Sequence, residues 1–339
     1  MKVVTLGEIM LRLSTPGYER IVQSPKFDVH YGGGEANVAV SLAQYGLDSF
    51  FVSKVPDHEI GTSAINAVRK YGVNTQYIAR GGERLGIYFL ETGASMRASK
   101  VIYDRSHSSI AEADVDDFDF EKIFAGADWF HFTGITPAIS KKARLIVKKA
   151  LDVCKKKGVT VSCDLNYREK LWSQKEAQET MLSYMPYIDY LIGNEEDATA
   201  CLGVKAGKTD ITTGKLDREG YVKMMSYITN RFHIKGMITS LRESFSASDN
   251  GWSILLYTKE RSYLSKHYDI RIVDRVGGGD SFAAGFIFGL NHYKDEQKAI
   301  EFAAAASALK QTIPGDFNLV SVAEVEKLMN GDASGRVQR

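Results

Sequence analysis

The sequence predicts an α/β fold with a mostly parallel central sheet, and three observations predict it. Short β-branched runs alternate with helix-period segments along most of the chain. The strand candidates are almost continuously apolar, as strands covered by helices on both faces are. Glycine-rich turns stand immediately before helical segments, at Gly32-Gly33-Gly34 and Gly277-Gly278-Gly279, and such folds collect ligands at the C-terminal ends of their strands.

The elements follow in order. Val3-Val4-Thr5-Leu6 opens the chain as a strand, and residues 35–45 form a helix after the first glycine run. Strand 50–54 and helix 61–71 continue the rhythm, and strands 129–132 and 159–164 flank helix 141–157, whose Lys155-Lys156-Lys157 end suits the negative pole of a helix dipole. Helix 175–185, strand 190–192, helix 195–202, helix 218–231 and strand 237–240 come next. Runs 253–257 and 270–273 read as antiparallel strands, and helices 280–291, 296–310 and 322–329 close the fold. Residues 11–31 and 85–103 break the rhythm with alternating β-rich stretches and no helix between them. They predict a small separate sheet placed to act as a lid. The expected division is a core of residues 1–10, 32–84 and 113–330, a lid of 11–31 and 85–112, and a loose tail over 331–339.

The bulk numbers exclude several classes. A hydrophobic share of 44% supports a substantial core. Lys+Arg 43 against Asp+Glu 42 leaves a net charge of +1, so no overall field recruits nucleic acid or a membrane surface. Any anionic ligand must be held by a local constellation. Cys154, Cys163 and Cys201 lack metal or disulfide spacing, and the seven histidines are scattered. No signal peptide and no spanning apolar stretch is evident, which points to a reduced, cytoplasmic setting.

Val276-Gly277-Gly278-Gly279-Asp280-Ser281 is the most informative run. Free N–H groups at a helix start form an anion site, and a carboxylate there needs a task. Asp280 can take a proton from a hydroxyl while the amides of Gly277, Gly278 and Gly279 hold the attacked phosphoryl group. The plainer reading is an N-cap after a tight turn. Gly33-Gly34-Glu35-Ala36-Asn37 lacks the third glycine of a dinucleotide fingerprint, because Asn37 stands there. Asn37 suits a polyol hydroxyl instead, or a buried helix position satisfied by backbone. Residues 203–209 imitate a Walker A loop one residue short and after a helix, so they read as a surface loop. Asp164-Leu165-Asn166-Tyr167-Arg168 ends a strand, with Asn166 and Arg168 as donors for phosphate or carboxylate. Asn194 and Asp197 read either as a helix cap or as a water-mediated Mg²⁺ site. Arg105 adds a second cation in the lid.

With these motifs together, the chain resembles the ribokinase-like carbohydrate kinases of the phosphofructokinase-B family. The likeness rests on Gly33-Gly34-Glu35-Ala36-Asn37 with Gly46 and Gly61, on Gly277-Gly278-Gly279-Asp280 with Ala284-Gly285, and on the Asn194 motif between them. The resemblance implies a three-layer α/β/α sandwich and Mg²⁺-ATP-dependent phosphorylation of a primary hydroxyl. It makes Asp280 the base and assigns Asn166, Arg168, Asn194, Ser240, Arg242, Glu243, Gly277, Gly279 and Asn318 to ATP. Within the family, Tyr88, Tyr103-Asp104-Arg105 and residues 163–172 resemble the branch that acts on 2-keto-3-deoxygluconate. That implies a sugar-acid substrate held by Gly33, Gly34, Asn37, Tyr88, Tyr103, Arg105, Arg168 and Asp316; the alternatives are a kinase for a neutral sugar such as fructose or ribose and a non-catalytic sugar-acid sensor. Many members have Asp-Thr where this chain has Asp274-Arg275, and a monovalent cation is expected near Asp274. An exposed lid sheet is expected to pair two copies of the chain.

Overall fold

The computed structural model describes residues 1–204, 218–258, 261–333 and 335. Residues 205–209 of the Walker-like run lie outside the described residues, as does most of the expected tail. The strands are β1 (Lys2–Leu6), β2 (Met10–Ser14), β3 (Asp28–Gly32), β4 (Asp48–Val55), β5 (Ile78–Arg80), β6 (Gly86–Glu91) and β7 (Lys100–Asp104). They continue as β8 (Trp129–Thr133), β9 (Thr160–Asp164), β10 (Tyr190–Ile192), β11 (Gly236–Ser244), β12 (Asp249–Thr258), β13 (Arg261–Leu264) and β14 (Tyr268–Arg271). The helices are α1 (Gly34–Gln44), α2 (Glu59–Arg69), α3 (Phe120–Ile123), α4 (Ile135–Ile139), α5 (Lys141–Lys157) and α6 (Gln174–Tyr184). Then come α7 (Glu195–Leu202), α8 (Arg218–Phe232), α9 (Gly278–Tyr293), α10 (Glu296–Lys310) and α11 (Val322–Met329).

The large sheet runs β13-β12-β11-β10-β9-β8-β1-β4-β5, with β14 also paired to β12. Pairings from β11 through to β5 are parallel, and β12 turns the edge antiparallel to β11, β13 and β14. Strand side chains alternate between faces. Val4 and Leu6 of β1 join a core with Phe130, Phe132 and the apolar stripe of α5. Val3, one residue away, joins Ile254, Leu256 and the buried faces of α9 and α10. Helices therefore cover both faces, and each face has its own apolar core. No described helix is long and apolar enough to cross a membrane.

The caps explain why the helices start where they do. Ser140 caps α5 by accepting from the Ala143 N–H, and Gly158 ends it at φ 68°. Asn194 and Asp197 form a capping box on α7, each side chain accepting the other's backbone N–H. α9 starts at Gly278, two residues before its predicted start, because Gly277 at φ 82° turns the chain directly into helical geometry. The smaller sheet, β3-β2-β6-β7, is made from the two stretches that broke the rhythm. β2 pairs antiparallel with β3 and parallel with β6, and β7 closes antiparallel on β6.

Candidate active site

The parallel strands end on one side, and the site is assembled there. Gly7 follows β1, Thr133 ends β8, Asp164 ends β9 and Asn194 follows β10. β11 runs past its pairing with β10 and carries Ser240, Arg242 and Glu243 beyond Ile238. The first glycine run enters this side because Gly33 packs against the Glu8 backbone, where a Cβ would drive into the Glu8 carbonyl oxygen. Glu35 then anchors the start of α1. It accepts from the Thr133 N–H and hydroxyl at 2.9 Å each and from the Thr136 hydroxyl at 2.6 Å. Burial pushes its carboxyl up to about 7.

The two glycine-rich motifs meet. Asn37 Nδ2 donates to Asp280 Oδ2 at 2.7 Å across 243 residues of sequence, while Asn37 Oδ1 accepts from the Gly33 N–H at 3.3 Å. A Cβ on Gly34 would sit 3.6 Å from Asp280 Oδ1. Asn37 therefore serves the carboxylate itself and is not satisfied by backbone alone. Burial pushes the Asp280 carboxyl up to about 6, the Asn37 hydrogen bond works against that rise, and the Asp316 charge adds to it. Gly277 needs glycine for two reasons: its φ is 82°, and a Cβ would collide with the Asp316 carbonyl oxygen. The Gly278 N–H donates to the Arg275 carbonyl at 3.2 Å, so that amide serves the turn. Gly279 is exposed and faces open space, since a Cβ there would meet nothing within 4 Å.

A cleft of about 1210 Å³ lies between β7 and the loops after β9 and β10. Tyr103, Arg105, Tyr167, Arg168, Glu195 and Glu196 are among its lining residues. Arg168 is exposed, donates to the Tyr167 carbonyl at 3.0 Å, and acts on the charge of Asp280. Arg105 is paired with Glu8 and lies 5.5 Å from the Tyr103 ring centre. Tyr88 and Tyr103 are tilted ring neighbours at 5.9 Å. Asn166 sits at φ 36°, a conformation Asn tolerates, and its N–H bonds the Asp164 carboxylate. Burial, followed by the charges of Asp197 and Asp280, pushes the Asp164 carboxyl well above the carboxylate range.

Several residues assigned from sequence also hold the protein itself together. Asn318 is buried, and its amide donates to the Tyr45 and Ser281 hydroxyls at 2.8 Å each, so it clamps α9. Asn194 and Asp197 spend their oxygens on the α7 cap and on the Tyr167 N–H at 2.8 Å. They build the loop beside the cleft. Asp316 is buried, takes the Tyr88 hydroxyl and an Arg12 guanidinium N–H at 2.9 Å, and so joins the small sheet to the glycine turn. Asp274 accepts from Arg12 at 2.5 Å, from the Gly315 N–H at 3.0 Å and from the Val276 N–H at 3.1 Å. Those donors hold the Asp274 carboxylate beside the glycine turn.

Sequence reasoning missed Arg12, Lys310, Glu8 and Asp164. Arg12 lies between Leu11 and Leu13, so strand alternation suggests that the leucines face inward; the opposite holds, with Met10, Arg12 and Ser14 buried. Burial opposes the Arg12 charge, but the carboxylates of Asp316 and Asp274 outweigh it and raise its pKa.

The comparisons agree with this geometry. The pfkB family of carbohydrate kinases matches residues 1–319. A solved 2-dehydro-3-deoxygluconokinase of Thermotoga maritima is 54% identical, with a TM-score of 0.95 over 98% of this chain and 100% of that one. A 2-dehydro-3-deoxygalactonokinase of Haloferax volcanii is 30% identical over 98% of both chains. An Escherichia coli ribokinase II solved with ATP and Mg²⁺ shares the fold at 20% identity, with a TM-score of 0.79 over 97% of this chain and 99% of that one. A glycine turn that presents an aspartate at a helix start, an asparagine that reaches that aspartate from a second glycine run, and a match over nearly the whole length lead to one conclusion: the chain belongs to the pfkB family of carbohydrate kinases.

Proposed function

We propose that the protein transfers the γ-phosphate of ATP to the terminal C6 hydroxyl of 2-keto-3-deoxygluconate (2-dehydro-3-deoxygluconate). The observation that carries this reading is the Asn37–Asp280 hydrogen bond, with Arg168, in the wall of the cleft, close enough to act on the Asp280 charge. A sugar acid needs a cation at its carboxylate and a neutral sugar does not; an arginine fork matches that carboxylate. Relatives named for keto-deoxy sugar acids support the choice. Asp280, held ionised by Asn37, takes the proton of the attacking hydroxyl. The open Gly279 position and the start of α9 receive the phosphoryl oxygens, with Gly277 shaping the turn. Positioning and charge stabilisation carry most of phosphoryl transfer, so the small sheet acts as a lid that orders the sugar and excludes water.

Asp164 ends β9, and its carboxyl is pushed up first by burial and then by the charges of Asp197 and Asp280. A hydrated Mg²⁺ would be held there, since a cation favours the ionised form. Nucleotide oxygens and water would complete the ion's coordination. When bound, Mg²⁺ neutralises charge on the transferred phosphate. Ser240, Arg242 and Glu243, beyond the end of β10, form the expected nucleotide wall. Buried free thiols at Cys154, Cys163 and Cys201 suit a cytoplasmic protein.

Asp280→Asn tests the assignment of the base. ADP release should fall about 10²–10⁴-fold while ATP still binds and the fold is kept. Turnover within a few-fold of wild type would remove Asp280 from the chemistry.

A further inference from the structure

Lys310 ends α10 and is fully buried. A lysine there calls for explanation, because an unpaired buried ammonium is costly. Its Nζ donates to three backbone carbonyls: Gly315 at 2.7 Å, Asp274 at 3.3 Å and Ile313 at 3.3 Å. An ammonium has three donors, and all are used. The carbonyls belong to the two segments that bracket the glycine turn. Asp274 lies just before the turn, and its N–H and that of Val273 donate to the Gln311 carbonyl at 3.1 and 2.9 Å. The 313–316 loop packs against Gly277, where an added Cβ would sit 3.2 Å from Lys310 Cε.

A ring of backbone carbonyls around one positive charge is the donor set that replaces the hydration shell of a potassium ion. Charge balance points the same way. Arg12 and Lys310 face Asp274 and Asp316, so two cations meet two carboxylates, and Asp280 is near enough to act on the Lys310 charge. Without Lys310 the group behind the phosphate site becomes net negative, which would repel the transferred phosphoryl.

We propose that the Lys310 ammonium is a tethered cation that does the work a monovalent ion would otherwise do in this carbonyl cage, making the protein independent of potassium and sodium. Lys310 acts as a positioning residue: it fixes the carbonyls on either side of Gly277 and keeps the turn in shape. The inference rests on the phosphoryl-transfer reading of that turn, so the test has a readout besides activity.

Wild-type kcat and melting temperature should be the same in potassium chloride and in tetramethylammonium chloride at matched ionic strength. Lys310→Met should melt lower and lose about tenfold or more in kcat in tetramethylammonium, with a smaller change in KM. Potassium or ammonium should restore part of both. Lys310→Gln is the second variant should the methionine protein fail to fold. Potassium raising wild-type kcat or melting temperature severalfold beyond tetramethylammonium would overturn the proposal. So would a folded variant that equals wild type without the ion, or one that no ion restores. A wild type that melts alike in both salts but releases no ADP would defeat the kinase reading and leave the cage supported.

Discussion

As the proposed base, Asp280 must be an anion, so its ionisation should set the acid limb of the pH profile. Burial raises its carboxyl to about 6, and the Asn37 hydrogen bond favours the charged form. The kcat/KM of the free enzyme should therefore be complete above this value and fall as pH drops through about 6. Asn37→Ala removes the bond to the charged form, so its acid limb should move upward by roughly one unit. An acid limb that stays in place would mean that Asn37 does not tune the base. Asp280 and Asn37 were legible because glycine runs announce a helix start where backbone approaches a ligand. Arg12 and Lys310 were not. A single arginine between leucines reads as solvent-facing, and a lysine in the last turn of α10 reads as a dipole partner. Only the tertiary fold shows that acids hundreds of residues away surround Arg12, and that Lys310 turns inward onto the Asp274, Ile313 and Gly315 carbonyls.

Arg12 does the joining between elements. From β2 it reaches Ser14, Asp274 and Asp316, tying the small sheet to the loops beside the glycine turn. Arg12→Met leaves two buried carboxylates without their partner and should cost about 3–5 kcal/mol in chemical denaturation. A loss under about 1 kcal/mol, the range of an exposed pair, would show that the network is not what holds the two sheets together. Elements with both caps written in the sequence were readable to the residue, as Lys141–Lys157 and Glu195–Leu202 show. The elements that escaped were short. Ile78–Arg80, Arg261–Leu264, Phe120–Ile123 and Ile135–Ile139 span too few residues for a period to appear.

At the scale of the molecule, alternation within each strand sends neighbouring side chains to two cores, and the continuous apolar runs of the central strands made that readable. The antiparallel edge was partly legible, since Ser253 to Tyr257 was seen but the length of β12 and its double pairing were not. The small sheet leaves Val29 60% and Ile102 53% exposed on its two edge strands, β3 and β7. Unpaired edges with apolar side chains favour association. Two copies joined through this sheet should therefore sediment as a dimer, and Val29→Lys with Ile102→Lys should return a monomer. A wild-type monomer at assay concentration would rule out that pairing.

The whole cleft is judged by its choice of substrate. ADP release should be measured with 2-keto-3-deoxygluconate, fructose and ribose, on wild type and on Arg168→Met. The account predicts that wild type prefers the sugar acid by about a hundredfold or more in kcat/KM, as a site built around a polar group rejects ligands that lack it. In Arg168→Met that preference should largely collapse, through loss of the acid with little change for neutral sugars. Fructose or ribose turned over by wild type as well as the sugar acid would contradict it.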